Sequence, residues 1–128
     1  RTGDWMRVDG ENLTTAPIER ILLRLNVISR VAVYPVPDEY VGDQVMAALV
    51  LRDDADLTPA EFAEFLGAQR DMSPKAWPRY VWIADDLPTT ATNKILKREL
   101  VALGVDPTDR VLWRRDRARF DPVVPADR

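Results

Sequence analysis

The sequence predicts an α+β fold: a small β-sheet with a short hairpin, packed against about three helices. Two observations carry this. Three strand-like apolar runs, at 31–34, 45–51 and 79–84, are interleaved with three segments whose apolar residues keep helical spacing. The chain is also too short for two cores, since halving its 128 residues leaves pieces below the size that folds readily alone.

The chain opens on polar residues, Arg1-Thr2-Gly3-Asp4, as a piece of a longer chain would. Met6-Arg7-Val8 then reads as a short strand running into a turn at Asp9-Gly10. From Pro17 onward Ile18, Ile21, Leu22 and Leu25 fall on one helical face, with Glu19, Arg20 and Arg24 on the other, so a helix is expected from Thr14 or Thr15. The runs at 31–34 and 45–51 read as strands joined by a Pro- and Gly-containing segment over 35–43. The second run is apolar on both faces, which suits a central strand. Thr58-Pro59-Ala60-Glu61 combines a capping threonine, a first-turn proline and a glutamate three residues after the cap, and Phe62, Phe65 and Leu66 supply the buried face of the helix that follows. A third strand is expected over 79–84, a polar loop over 85–93, and a last helix carrying Leu96, Leu100 and Leu103. Beyond Gly104 prolines and charges break every pattern, so 104–128 is expected to lie along the surface as a tail.

Composition excludes much. The chain has no cysteine and no histidine, hence no disulfide, no thiolate and neither of the commonest metal ligands, so no metal site is expected. A net charge of -3 gives no bulk attraction to nucleic acid. The one basic cluster, Arg110, Arg114, Arg115, Arg117 and Arg119, is interleaved with Asp109, Asp116 and Asp121 and reads as a solvated tail. No apolar run approaches the roughly 20 residues of a transmembrane helix. Five glycines, at 3, 10, 42, 67 and 104, are too scattered to build a phosphate-cradling loop.

The most informative stretch is Leu87-Pro88-Thr89-Thr90-Ala91-Thr92-Asn93-Lys94-Ile95-Leu96-Lys97. A loop of small polar residues there presents Lys94 at the foot of a helix, where a compact ammonium suits a carboxylate or phosphate oxygen. By residue type alone such a lysine is usually a solvated surface group. Leu-Pro, a small and Thr-rich run, then Lys-Ile-x-Lys resembles the last core motif of the adenylate-forming enzymes: acyl-CoA synthetases, aryl-CoA ligases, luciferases and peptide-synthetase adenylation domains. The resemblance implies that Lys94 contacts the acid carboxylate and the ATP α-phosphate during adenylation. Asn93 stands where the family usually has glycine, and asparagine tolerates positive φ better than other non-glycine residues.

At the other end, Arg1-Thr2-Gly3-Asp4, Arg7 and Gly10-Glu11-Asn12 resemble the hinge and following loop of the same family, especially its fatty-acid-transport-protein and very-long-chain branch. The resemblance makes Arg1 the hinge arginine near the nucleotide and puts Gly3 at or beside the pivot. Asp4 joins them as a hinge residue, not as the ribose-binding aspartate, whose motif lies further from the Gly-Glu-Asn loop. Gly10, Glu11 and Asn12 are implied to line the tunnel for the CoA pantetheine arm; on residue type alone Asp9-Gly10 is a plain hairpin turn. Glu19, which ends this motif, is expected to be structural. Trp77-Pro78-Arg79-Tyr80 resembles the family's approach to the lysine loop, which makes Lys75 and Trp77 candidate contacts for the CoA nucleotide. A tryptophan before a strand is otherwise more often core.

The resemblance, covering about residues 1–103, implies a C-terminal lid domain. Residues 1–7 are the hinge and lead-in strand, 8–103 the lid and 104–128 the surface tail. Its partner is its own N-terminal adenylation domain, which binds most of the ATP, Mg²⁺ and CoA together with a fatty or other carboxylic acid. Such a lid is inactive alone and works as part of an acid–thiol ligase, in the cytoplasm or at the periphery of a membrane. Two alternatives stay open: the lid of an adenylation domain that loads an acyl-carrier protein, and a non-catalytic interaction domain of the same fold.

Overall fold

The computed structural model describes residues 5–8, 10–38, 42–92, 94–103 and 111–123. Arg1, Gly3 and Asp4 of the expected hinge lie outside them, as does Asn93. In chain order the elements are β1 (Trp5–Val8), β2 (Glu11–Thr14), α1 (Thr15–Leu22), β3 (Ile28–Asp38), β4 (Gly42–Leu51), α2 (Pro59–Gly67), β5 (Tyr80–Ala84), α3 (Lys97–Leu103), β6 (Val111–Asp116) and β7 (Arg119–Pro122), with a 3₁₀ turn at Pro74–Ala76.

The seven strands among the described residues join one mixed sheet. β4 is central, as its two apolar faces require: β3 lies antiparallel on one side, while β5 runs parallel on the other and Val8 of β1 pairs with Gly42. Alternation along β4 feeds two cores. Val45, Ala47 and Leu49 face Ile18, Ile21 and Leu22 of α1 and Phe62 and Leu66 of α2. Met46 and Ala48 face the opposite layer, built from Leu87, Ile95 and Leu100. The lysine segment and α3 thus form a separate layer from α1 and α2.

Helix starts follow their chemistry. Thr58 and Glu61 form the expected reciprocal cap of α2, with Glu61 N donating to Thr58 Oγ1 at 3.1 Å and Thr58 N donating to Glu61 Oε1 at 2.9 Å. α1 begins at Thr15 as expected, but the Thr14 side chain makes no capping bond. α3 starts at Lys97, three residues after Lys94, because Thr89 and Ile95 first form an isolated β-bridge.

Two expectations are corrected. The segment over 35–43 is not a loop for most of its length: β3 continues through Pro35 and Pro37 to Asp38. Val33 N donates to Glu19 Oε2, away from β4, and the register with β4 is unbroken from Arg30 to Asp38. Alternation therefore turns the nitrogens of Pro35 and Pro37 to the same open edge, where a missing N–H costs the ladder nothing. The second correction concerns the tail. Within 104–128, β6 and β7 extend the sheet beyond β5, and Leu112, Trp113 and Phe120 are buried. The Phe62 ring lies 5.2 Å from that of Phe120 and 6.1 Å from that of Trp113. Arg114, Arg115, Arg117 and Arg119 of the basic cluster accordingly belong to a hairpin, while Arg110 lies outside the described residues: Arg115 donates to Pro78 O at 3.1 Å and to Arg117 O at 2.9 Å, and Arg114, Arg117 and Arg119 are exposed.

Candidate functional site

The loop carrying Lys94 is rooted at the C-terminal end of β5 and closed by its own backbone. Leu96 N donates to Pro88 O at 2.8 Å, and Thr90 N donates to Lys94 O at 2.8 Å. Lys94 N in turn donates to Thr90 Oγ1 at 3.1 Å, so one threonine holds both backbone groups of the lysine. The Thr90 and Thr92 hydroxyls lie 3.0 Å apart. This explains why threonines fill the loop: their short hydroxyls bond local backbone where a helix or ladder is absent. Leu87 and Ile95 bury the foot of the loop in the second core. Lys94 itself is exposed, and among the described residues no hydrogen bond or ion pair holds its ammonium.

Both legs of the loop are tied to the β3 edge. On the leading side Asp86 Oδ1 accepts from Leu87 N at 2.8 Å and from Arg30 Nη1 at 2.9 Å. On the trailing side Lys97 Nζ reaches Thr15 Oγ1 at 2.9 Å and Glu19 Oε2 at 2.9 Å, and that same Oε2 accepts from Val33 N at 2.8 Å. Glu19 is structural, as expected. Lys97 and Arg30 were not singled out by sequence reasoning; the only signal was the second lysine of the Lys-Ile-x-Lys run.

The Gly10 turn sits at the other end of the sheet. β1 and β2 pair from Trp5↔Thr14 to Val8↔Glu11, which places Gly10 beyond Gly42, at the N-terminal end of β4. Because β5 is parallel to β4, the Gly10 and Lys94 loops are rooted at opposite ends of the sheet. Gly10 has φ +82°, which accounts for glycine there by conformation alone. Arg7 steadies the hairpin, its N–H donating to Asp43 Oδ2 at 2.9 Å and its guanidinium to Asn12 Oδ1 at 3.2 Å.

Two candidates from distant parts of the sequence meet here: Lys75 Nζ lies 2.9 Å from Glu11 Oε1. Lys75 and Trp77 line one open cleft of about 390 Å³ together with Gln44, Arg79 and Arg115. Trp77 also packs on the first core, so it serves as partial core and cleft wall at once. Arg79 and Arg115 were missed as cleft residues because the β6–β7 hairpin was not expected. The approach to Lys75 is pinned to the turn that follows α1: Arg24 makes a two-pronged bond to Asp71, at 2.9 and 2.7 Å, and also reaches Gln69 at 2.9 Å. Hydrogen bonds from Arg24 hold the Asp71 carboxyl below its ordinary pKa, and Arg24 is raised in return. Among the described residues no group of His, Cys, Asp or Glu is arranged to hold a metal ion, and no helix is long and apolar enough to cross a membrane.

Residues 17–94 match the family model of the AMP-binding enzyme C-terminal domain. The chain belongs to this family. As such a domain it is 57% identical over 118 residues to a medium/long-chain-fatty-acid–CoA ligase, FadD17, of Mycobacterium marinum, a match covering 92% of this chain and 24% of the relative. It is 53% identical over 100 residues to the steroid-22-oyl-CoA synthetase of Rhodococcus jostii, covering 78% of this chain and 18% of the relative. The chain thus spans about a quarter or less of the curated relatives it matches. Among solved structures, a Mycobacterium tuberculosis fatty acyl CoA synthetase superposes with a TM-score of 0.69 at 29% identity, over 78% of this chain and 19% of that one. A Brucella canis acyl-CoA synthetase does so at 0.72 and 27%, over 80% and 19%. The AMP-binding C-terminal domain fold, a small mixed sheet with three helices, is therefore the one expected from the sequence.

Proposed function

We propose that this domain is the lid of an ATP-dependent fatty-acid–CoA ligase and that Lys94 is its adenylation lysine. The observation that carries the reading is the Lys94 loop: closed by its own backbone, tied at both legs, and presenting an exposed ammonium. In the full-length enzyme an acid carboxylate oxygen attacks the α-phosphorus of ATP, giving acyl-adenylate and releasing pyrophosphate. The Lys94 ammonium, set between the carboxylate and an α-phosphate oxygen, stabilises negative charge as it shifts from one to the other. The CoA thiol sulfur then attacks the acyl carbon, and AMP leaves.

The rooting of the Lys94 and Gly10 loops at opposite ends of one sheet supports a two-position lid, since a rigid domain delivers them to one centre only by turning. Arg1, Gly3 and Asp4 are assigned to the hinge, and Gly10, Glu11 and Asn12 to the pantetheine arm. Lys75, Trp77, Arg79 and Arg115 are assigned to the phosphates and base of the CoA nucleotide, for which a cationic cleft with an aromatic wall is suited. ATP and its Mg²⁺, and most of the acid pocket, belong to the N-terminal domain of the whole protein. The FadD17 and steroid-22-oyl-CoA synthetase relatives favour a fatty or steroid side-chain acid, and reliance on ATP and CoA favours a cytoplasmic setting.

The test is acid-dependent exchange of pyrophosphate into ATP by the full-length protein and its Lys94→Ala variant, beside thioester formation from supplied acyl-adenylate. Loss of exchange with thioester formation retained is expected. Undiminished exchange in the variant excludes Lys94 as the adenylation lysine, and equal loss of both half-reactions excludes the two-position lid.

A further inference from the structure

An exposed lysine on a short loop is a poor catalyst unless something fixes the loop, because a side chain with four rotatable carbons spreads its charge over several ångströms. Among the described residues the Lys94 backbone is held by Thr90 alone, which belongs to the same loop. Fixation relative to the rest of the domain must come from the legs. The trailing leg is Ile95, Leu96 and Lys97, and Lys97 is unlike an ordinary surface lysine. Its side chain is only 13% exposed, and its ammonium is held between Thr15 Oγ1 and Glu19 Oε2, both at 2.9 Å.

The anchor is itself rigid. Thr15 is 1% exposed, and the Glu19 oxygen that accepts from Lys97 also accepts the Val33 N–H on the open edge of β3. One carboxylate oxygen therefore ties α3, α1 and the sheet to a common point at the end of the trailing leg of the Lys94 loop. With its ammonium bonded inward, Lys97 is placed to steady the loop, not to meet a ligand.

We propose that Lys97 is a positioning residue for adenylation: through Glu19 and Thr15 it fixes the trailing leg of the loop and thereby the place of the Lys94 ammonium. This rests on the reading of Lys94 given above. A displacement of about 1 Å at a reacting centre costs up to roughly a hundredfold in rate, so losing the anchor is expected to act on the Lys94 half-reaction and to spare the other.

The experiment compares full-length Lys97→Met, Lys97→Arg, Thr15→Val and Lys94→Ala in both half-reactions: acid-dependent pyrophosphate exchange, and thioester formation from supplied acyl-adenylate. Lys97→Met is expected to lower exchange by about ten- to a hundredfold while thioester formation stays within about threefold, and Lys97→Arg is expected to restore most of the exchange. Thr15→Val is nearly isosteric and removes one bond of the anchor; should Lys97→Met fail to fold, a selective loss of exchange in Thr15→Val still supports the inference. Equal losses in both half-reactions mean a merely structural contact and overturn it. So does unchanged exchange in Lys97→Met and Thr15→Val while Lys94→Ala is dead. Undiminished exchange in Lys94→Ala is a separate failure, of the lysine reading itself, and removes the basis of this inference.

Discussion

Lys97 Nζ and Glu19 Oε2 stand 2.9 Å apart across the open edge of β3, joining the first turn of α3 to α1. The pair is only 13% and 22% exposed, and the Glu19 carboxylate also satisfies the Val33 N–H that an edge strand would otherwise leave open. Removing one partner of such a mostly buried pair costs more than the pair contributes net, because the charge that remains loses part of its compensation.

Glu19→Ala should therefore destabilise the protein by about 1–3 kcal/mol, since it strips partners from both an ammonium and a backbone N–H. Glu19→Gln, which keeps an acceptor for Val33, should cost clearly less. Denaturant unfolding of the two variants decides this; equal losses would show that the backbone bond contributes nothing.

The β6–β7 hairpin is part of the core. Phe120 is 3% exposed and packs its ring edge against Phe62, so Phe120→Ala should cost about 3–5 kcal/mol. A thermal melt within a degree or two of the parent would instead match a surface tail.

Gly42 opens β4 at φ +88°, and a Cβ there would lie 3.1 Å from the Arg7 carbonyl oxygen. Strain and crowding coincide, so Gly42→Ala is expected to lose about 1–2 kcal/mol. Because Gly42 is where β1 joins β4, amide exchange of Arg7 and Val8 should accelerate in this variant. Unaltered exchange there would contradict the pairing.

Hydrogen bonds from Arg24 hold Asp71 below its ordinary pKa, and the sign of the pH dependence follows. A carboxyl with a lowered folded-state pKa contributes fully above its unfolded value, and the contribution fades as pH falls through the lowered folded value. Arg24 stays charged throughout, so its own shift adds nothing in this range. The Asp71 carboxyl carbon, followed by NMR, should titrate below the ordinary range in the parent and move up toward it in Arg24→Gln. Both groups are exposed, so neutral-pH stability should barely change; an unmoved midpoint in the variant would refute the coupling.

What was legible in the sequence was whatever local chemistry decides. The capping box at Thr58 and Glu61, the helical face of Ile18, Ile21 and Leu22, and the doubly apolar run of β4 each state their structure within a few residues, because caps and periodicity act over one or two turns. The Lys94 loop was legible as a loop for the same reason, and its resemblance to a known motif pointed to its chemistry. Tertiary structure alone decided the rest. Pro35 and Pro37 look like loop residues until β3 is known to be an edge with their nitrogens turned outward. Arg117 turns the β6–β7 hairpin at φ 59° with no glycine, asparagine or proline in the turn, and the aromatic residues on either side gain meaning only when Phe62 arrives from α2. The meetings of Lys97 with Glu19, and of Lys75 with Glu11, join residues far apart in the chain. No local propensity records such a meeting, because its free energy exists only once the sheet has brought the two ends together.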